Sequence, residues 1–201
     1  MLHPRRISVH LLFLVLLTTI LSFSVNPNIT HAKFRSQNVI VSIKGTSSLH
    51  DWEMKSDKGH VEVLLGIGNN NDIIDLTSLK FTLEAESLKS GKTAMDKNAY
   101  KALKTGSSKN ISFVHSSAKI SRQNSTTFQI NTLGKLTVAG TTRETNLVVD
   151  VTFNPADKSF TATGTKKIKM SEYNVKPPSF MMGAVKTGDD ISISFKSQIV
   201  R

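Results

Sequence analysis

The chain contains no cysteine in 201 residues, and aromatic residues make up only 6% of it. Without cysteine the protein cannot form a disulfide framework, use a thiol nucleophile, build a cysteine zinc site or carry a lipid on an N-terminal cysteine. The cellular compartment stays open, because exported proteins do not require disulfides. Acidic residues are also few, 15 against 26 lysines and arginines, which gives a formal net charge of +11. This charge permits anionic partners such as lipid head groups or nucleic acid.

The N-terminal segment has the order of an export signal. Arg5-Arg6 gives a basic start, residues 11–17 are an unbroken apolar run, and Thr30-His31-Ala32 places small residues where a signal peptidase reads them. A retained anchor is the alternative, because residues 7–25 are almost long enough to span a bilayer. Polar residues within that run favour cleavage. We therefore expect a signal peptide at 1–32, one mature domain at 33–201, and a periplasmic or secreted protein.

The rest of the chain has the period-2 alternation of β-strands. In residues 79–86 apolar and polar side chains alternate without a fault, and residues 147–153 and 191–197 repeat the pattern. Such alternation places one face of a strand in an apolar environment and the other in water. Further strands are predicted at residues 39–43, 61–65, 111–120, 127–133, 135–138 and 160–170. Many short strands without strand–helix–strand alternation indicate an all-β, antiparallel sandwich or barrel.

One segment has helical periodicity instead. Between residues 94 and 105, Met95, Ala99 and Leu103 recur at the spacing of one helix face, and Gly106 follows as a stop signal. We expect a short helix near residues 94–105, laid across the strands or over one end of the barrel.

Enzyme motifs are incomplete. Gly91-Lys92-Thr93 resembles the end of a phosphate-binding loop, but Glu86 stands where the first glycine must be. Asp189-Asp190 follows a glycine in a turn and is expected to be solvated. Beyond the leader the histidines are His50, His60 and His115. No two of them have the i, i+4 spacing of a helical zinc site. We expect no catalytic residue, no metal and no cofactor.

Two segments stand out from this background. Residues 45–52, Gly-Thr-Ser-Ser-Leu-His-Asp-Trp, contain the only tryptophan. Their polar side chains beside Trp52 could contact a ligand head group, or Trp52 could plug the barrel while the polar groups satisfy the backbone. Residues 173–183 contain two prolines, which prevent regular structure, together with Phe180, Met181 and Met182. Flexible methionines in an irregular loop suit either a lipid-contacting lip or a loop packed on the core.

Five segments, taken in order, resemble the YceI-like family of exported bacterial proteins. They are residues 45–52, 88–104, 111–113, 134–142 and 177–189, which include Met-Asp-Lys-Asn-Ala-Tyr-Lys-Ala-Leu-Lys and Pro-Pro-Ser-Phe-Met-Met-Gly. The resemblance implies an elongated, eight-stranded antiparallel lipocalin-like barrel. It also implies an apolar tunnel able to hold a polyisoprenoid chain, such as a quinone-like or prenyl lipid.

The candidate ligand-binding residues follow from this resemblance and from the alternation, because a barrel of about eight strands is just wide enough for a slender ligand. They are Trp52, Phe81, Leu83, Phe113, Phe128, Leu136, Val138, Val149, Val151, Phe153, Tyr173, Phe180, Met181 and Met182, with His50 and Asp51 as head-group contacts. Periodicity alone leaves open which face of each strand lines the tunnel.

Three functions are compatible with these features. The first is an exported carrier that binds an apolar lipid without chemistry, as a monomer or homodimer. The second is a hydrolase or isomerase acting on such a lipid through His50 and Asp51, which requires both at a tunnel mouth. The third is a basic protein that contacts anionic membrane surfaces, with Lys166, Lys167 and Lys169 as its best patch. Nucleic acid is disfavoured because tyrosine and tryptophan, which stack on bases, are few. We favour the first.

Overall fold

The alternating segments form antiparallel strands in the computed structural model, which describes residues 29–180 and 183–201. The strands are β1 (Thr30–Ser47), β2 (Trp52–Ile67), β3 (Ile73–Glu84), β4 (Asn110–Arg122), β5 (Thr127–Val138), β6 (Thr141–Asn154), β7 (Ser159–Lys169), β8 (Ser179–Phe180) and β9 (Val185–Ile199). Strands β1 to β7 pair in chain order, β7 pairs with β9, and β9 returns to β1. Eight strands thus close a ring, while the two-residue β8 pairs only with β9. The predicted eight-stranded antiparallel barrel is confirmed.

The two ends of the barrel are built differently. At one end, three short turns at residues 68–72, 123–126 and 155–158 join neighbouring strands. At the other end lie the long connections, residues 85–109 between β3 and β4 and the described residues 170–180 and 183–184 between β7 and β9. We call these the turn end and the mouth end.

The one α-helix among the described residues, α1 (Thr93–Ala102), lies at the mouth end and ends three residues earlier than predicted. The chain leaves the helix at Lys104, whose φ of 56° is left-handed, so the reversal occurs before Gly106. Met95, Ala99 and Leu103 pack against a buried cluster of the barrel. Ser90 donates to the Asp96 carboxylate from its backbone N–H (2.8 Å) and its hydroxyl (2.6 Å), which holds the pKa of Asp96 below its ordinary value. In the described part of the chain, no helix combines the length and apolarity needed to cross a membrane.

Strand β5 runs unbroken through Gly134, where two separate strands, 127–133 and 135–138, were predicted. The prediction was wrong because this glycine does not end a strand. A Cβ at Gly134 would overlap the ring of Phe113 on the neighbouring strand and would lie 2.6 Å from the carbonyl oxygen of Val114. The glycine therefore gives an aromatic ring room against the sheet.

The predicted signal peptide falls mostly outside the described residues, which begin at Ile29. Strand β1 begins at Thr30, and Ala32 within it pairs with Leu65 and is 6% exposed. The boundary after Ala32, which stays a prediction, therefore falls inside a paired strand.

Candidate ligand-binding site

The interior faces of the strands enclose a cavity of about 210 Å³. All but four of the residues that line it are apolar, and the four are Thr132, Thr145, Lys166 and Ser197. The lining includes seven of the predicted ligand-binding residues, namely Phe81, Leu83, Phe113, Leu136, Val138, Val149 and Val151. The interior is thus suited to hydrocarbon, because apolar surface gains free energy when it leaves water.

A second cavity of about 610 Å³ lies at the mouth end, between α1 and the connection that follows β7. It shares five lining residues with the barrel cavity, Ile43, Leu103, Val138, Ile168 and Ile191, so the two spaces adjoin. The predicted residues Trp52, Tyr173 and Phe180 line this mouth cavity, whereas Met181 and Met182 lie outside the described residues. Tyr173 is 2% exposed, and its burial raises the pKa of the phenol. Together the two spaces reach the size of ordinary lipid and cofactor pockets.

Four phenylalanines fill the turn end of the barrel, and we call them the aromatic floor: Phe34, Phe128, Phe153 and Phe160. The Phe160 ring centroid lies 5.4 Å from that of Phe34 and 5.1 Å from that of Phe153. None of the four lines the barrel cavity. Phe128 and Phe153 were predicted as lining residues; they lie instead beneath the cavity, because they occupy the turn-end positions of their strands. The tunnel therefore has a mouth and a floor.

Two phenylalanines that do line the cavity lie flat against the barrel wall. The ring of Phe113 covers Gly134, and the ring of Phe195 covers Gly164. Each ring occupies the place that a side chain on the glycine would take. Because an eight-stranded barrel has little interior to spare, rings held at the wall leave space along the axis.

The His50 ring, predicted at the mouth, contacts the backbone of Asp51 rather than its carboxylate. The Nδ1 atom of His50 lies 2.7 Å from the backbone carbonyl of Asp51, so the ring is engaged with its own turn. The hydroxyl of Ser47 donates to the His50 carbonyl (2.7 Å) and accepts from its backbone N–H (3.1 Å). Trp52 does not plug the barrel: its Nε1 donates to the carbonyl of Thr46 (3.0 Å), and its ring covers Gly45 at the wall.

The rim beside this turn borders a further cavity of about 410 Å³, lined mainly by polar side chains. This cavity is lined by His50, Asp51, Lys55, Lys89 and Lys92, among others, and it shares His50, Trp52, Lys92 and Met95 with the mouth cavity. Lys55 is paired with Glu53 at 2.9 Å, and Lys89 donates to the hydroxyl of Tyr100 at 2.7 Å. Across residues 29–180 and 183–201, no group of three or more His, Asp or Glu side chains is placed to hold a metal ion.

The fold and the matched sequence agree on a family. The model of the YceI-like domain matches residues 23–199. The chain belongs to the YceI-like family. No curated protein matches it.

Solved structures of similar fold come from several bacteria. BcnA of Burkholderia cenocepacia is 20% identical, with a TM-score of 0.62 over 81% of this chain and 96% of BcnA. A polyisoprenoid-binding domain from Saccharophagus degradans, implicated in plant cell wall breakdown, is 10% identical, with a TM-score of 0.60 over 85% of this chain and 98% of that domain. The YceI protein of Campylobacter jejuni is 15% identical, with a TM-score of 0.51 over 70% of this chain and 82% of that protein. At these identities the likeness shows the fold.

The glycine–phenylalanine pairs of this YceI-like barrel can be tested at Gly164. A Cβ there would lie 2.5 Å from Cζ of Phe195 and 2.8 Å from the carbonyl oxygen of Val148. We expect Gly164→Ala to push the ring toward the axis, to lower the free energy of unfolding by about 1–3 kcal/mol, and to weaken lipid binding. Urea denaturation and lipid titration measure the two effects.

The matched control is Gly106→Ala, because a Cβ at Gly106 would meet no atom within 4 Å. It should change the free energy of unfolding by no more than about 0.5 kcal/mol. Equal stability of the two variants would contradict the account of the Phe195 ring.

Sequence reasoning missed a polar pair in the wall of the YceI-like barrel. His115 lies on β4 just beyond Val114, the last β4 residue that pairs with β3. Its Nδ1 lies 3.0 Å from the hydroxyl of Thr132, which is 1% exposed. Burial lowers the pKa of His115, against a smaller opposing effect of the Asp75 carboxylate. Burial thus favours the neutral form of the His115 ring, at the point where the ladder between β3 and β4 ends.

The barrel should therefore lose stability in mild acid. Because the folded pKa of His115 is depressed, the unfolded chain binds the proton more readily, and stability falls as the pH drops below the ordinary histidine value of about 6.5. We expect His115→Gln to reduce the loss of urea midpoint between about pH 7 and pH 5. His60→Gln, an exposed position on β2, is the control. An unchanged pH dependence in His115→Gln would show that another group is responsible.

Proposed function

We propose that this chain is a binding protein that holds one long, slender apolar lipid of the isoprenoid type in its barrel and performs no chemistry on it. The observation that carries the proposal is the adjoining pair of apolar spaces between the rim at His50 and the aromatic floor. A chain whose tail points to the floor would bury its hydrocarbon along the cavity wall.

The width of the barrel supports a slender ligand over a bulky one. Eight strands leave an interior that side chains nearly fill, and space for a ligand remains here because rings lie at the wall. The Saccharophagus domain of the same fold is named for polyisoprenoid binding. A prenyl or quinone-like lipid combines the required length and narrow cross-section.

Protein purified without detergent provides the test. Native mass spectrometry before and after organic extraction should show a mass increment that extraction removes. Fragmentation of the extract should give the five-carbon spacing of an isoprenoid. A barrel that arrives empty and takes up no added geranylgeraniol would contradict lipid binding, whereas an extract of straight-chain lipids would contradict only the isoprenoid class.

We also propose that the protein is exported to the periplasm or beyond. The order of basic, apolar and small residues at the N-terminus supports this location. Cell fractionation with intact mass determination tests it, and cleavage after Ala32 gives a chain that begins at Lys33. Recovery of the full 201 residues from the cytoplasm would count against export.

A further inference from the structure

The strongest unexplained feature of the barrel is a cation on its inner face. Along β7 the inward positions are Phe160, Ala162, Gly164, Lys166 and Ile168, which alternate with the outward ones. Lys166 is half-buried and lines the apolar cavity, whereas the next residue, Lys167, is exposed. A long side chain can bury its methylene stem in apolar surroundings only if its ammonium reaches water or a partner.

The barrel wall has a slot at this position. The ladder between β6 and β7 ends at the pair Val149 and Gly164, so residues 141–148 and 165–169 of these strands do not pair with each other. At the mouth end of the slot, β6 is joined to the segment that follows β7, because Nε of Arg143 donates to the backbone carbonyl of Glu172 at 2.9 Å. Thr145 and Lys166 both line the cavity within the framed opening. The slot therefore gives the Lys166 ammonium a route out of the apolar interior.

Three acidic side chains on the β7–β9 connection and at the start of β9 have other partners. Asp190 pairs with Lys169 at 2.9 Å, and the Asp189 carboxylate accepts from the backbone N–H (2.8 Å) and hydroxyl (2.6 Å) of Ser171. The Glu172 carboxylate accepts from the backbone N–H of Lys169 at 3.2 Å. Within the described residues Lys166 takes part in none of the ion pairs. A cation beside an apolar cavity is thus left without an internal counter-ion.

We propose that Lys166, assisted by the hydroxyl of Thr145, binds the anionic head group of an amphiphilic ligand in the slot between β6 and β7. This inference rests on the proposed lipid-binding function and specifies the ligand further: a hydrocarbon chain that ends in a phosphate or carboxylate. The chain lies in the barrel cavity, and the head leaves through the wall. A charge-assisted hydrogen bond to the ammonium distinguishes such a lipid from a neutral alcohol of the same length.

The competing location for an anionic head is the polar rim at the mouth. Lys92 is its most available cation, since Lys55 and Lys89 are hydrogen-bonded to Glu53 and Tyr100. Lys92→Ala therefore separates the two locations. Lys167→Ala is the matched control, because it removes the same charge from the outer face of the same strand one residue away.

The experiment measures the affinities of delipidated protein for geranylgeranyl phosphate, palmitate and geranylgeraniol by displacement of a neutral fluorescent probe. We expect Lys166→Ala to weaken binding of an anionic ligand about 10-fold, equivalent to about 1.4 kcal/mol, and to change the affinity for geranylgeraniol less than about 2-fold. Lys166→Arg should retain most of the affinity. Loss for the phosphate alone, or for palmitate alone, identifies which anionic head the slot accepts.

Three results would overturn the inference. The first is equal affinity of wild type and Lys166→Ala for both anionic lipids. The second is an equal loss in Lys167→Ala, which would indicate a general charge effect, and the third is a loss in Lys92→Ala in place of Lys166→Ala. In each of these results geranylgeraniol still binds, so the proposed lipid-binding function stands. If wild type binds none of the three lipids, that function and the inference both fail.

Discussion

Replacing Phe160 with alanine should lower the free energy of unfolding by about 3–5 kcal/mol, a large share of the stability of a single domain. The ring is 2% exposed and packs between Phe34, at an interplanar angle of 83°, and Phe153, at 49°. Alanine removes both aromatic contacts and leaves a cavity that β-strands on all sides keep from collapsing. Denaturation in urea measures the loss.

The same substitution should also change which ligands fit. Removing the Phe160 ring opens the aromatic floor, so the tunnel extends toward the turn end. We expect the folded Phe160→Ala protein to prefer longer prenyl alcohols than wild type does, as measured by competition between chain lengths. Phe160→Leu, which keeps most of the volume, should cost less stability and keep the wild-type length preference. An unchanged preference in Phe160→Ala would show that the floor does not limit ligand length.

Replacing Ala162 with tryptophan should reduce lipid affinity by at least about 100-fold. The indole would occupy the barrel axis and exclude the hydrocarbon chain, whose burial supplies most of the binding free energy. Ala162 lines the cavity one inward position above Phe160. The cavity already provides part of the space for the indole. The free energy of unfolding should therefore fall by about 1–3 kcal/mol, the usual cost of overpacking. Titration with geranylgeraniol measures the affinity.

The matched control places tryptophan on the opposite face of the same strand. Thr163 borders an outer groove of the barrel rather than its interior. Thr163→Trp should therefore bind lipid as wild type does. A thermal melt of both variants confirms that they are folded. Wild-type affinity in Ala162→Trp would mean that the ligand lies outside the barrel.

The sequence reveals which side chains share a face, but not how far along the barrel each one lies. Val149, Val151 and Phe153 alternate on β6 and share its buried face. The first two line the cavity, while Phe153 belongs to the aromatic floor. This difference depends on the register with β7, which sets Phe153 opposite Phe160. Register between strands is a tertiary property that period-2 alternation does not encode.

Two other features were present in the sequence but misread there. The sequence predicts one basic patch at Lys166, Lys167 and Lys169. The alternation of β7, which places Phe160, Ala162 and Ile168 on its inner face, also places Lys166 there, whereas Lys167 and Lys169 lie on the outer face. Gly134 alone predicts a break, yet the strand continues on both sides of it. The sequence does not predict the mouth cavity. Its lining combines α1, Trp52 and Tyr173, which lie far apart in the chain and come together only in the closed barrel.

The closure of the ring determines when the barrel can form. Strand β1 completes the sheet by pairing with β9, where Ile43 lies opposite Ile193, about 150 residues later in the chain. Hairpins such as β4–β5 and β5–β6 form from local contacts, but the closing seam has the long sequence separation that makes β-rich folding slow, in the range of about milliseconds to seconds. Residues 40–45 therefore remain an open sheet edge until the chain as far as Lys196 has been made. Until then, this unpaired edge can pair with a strand of another chain.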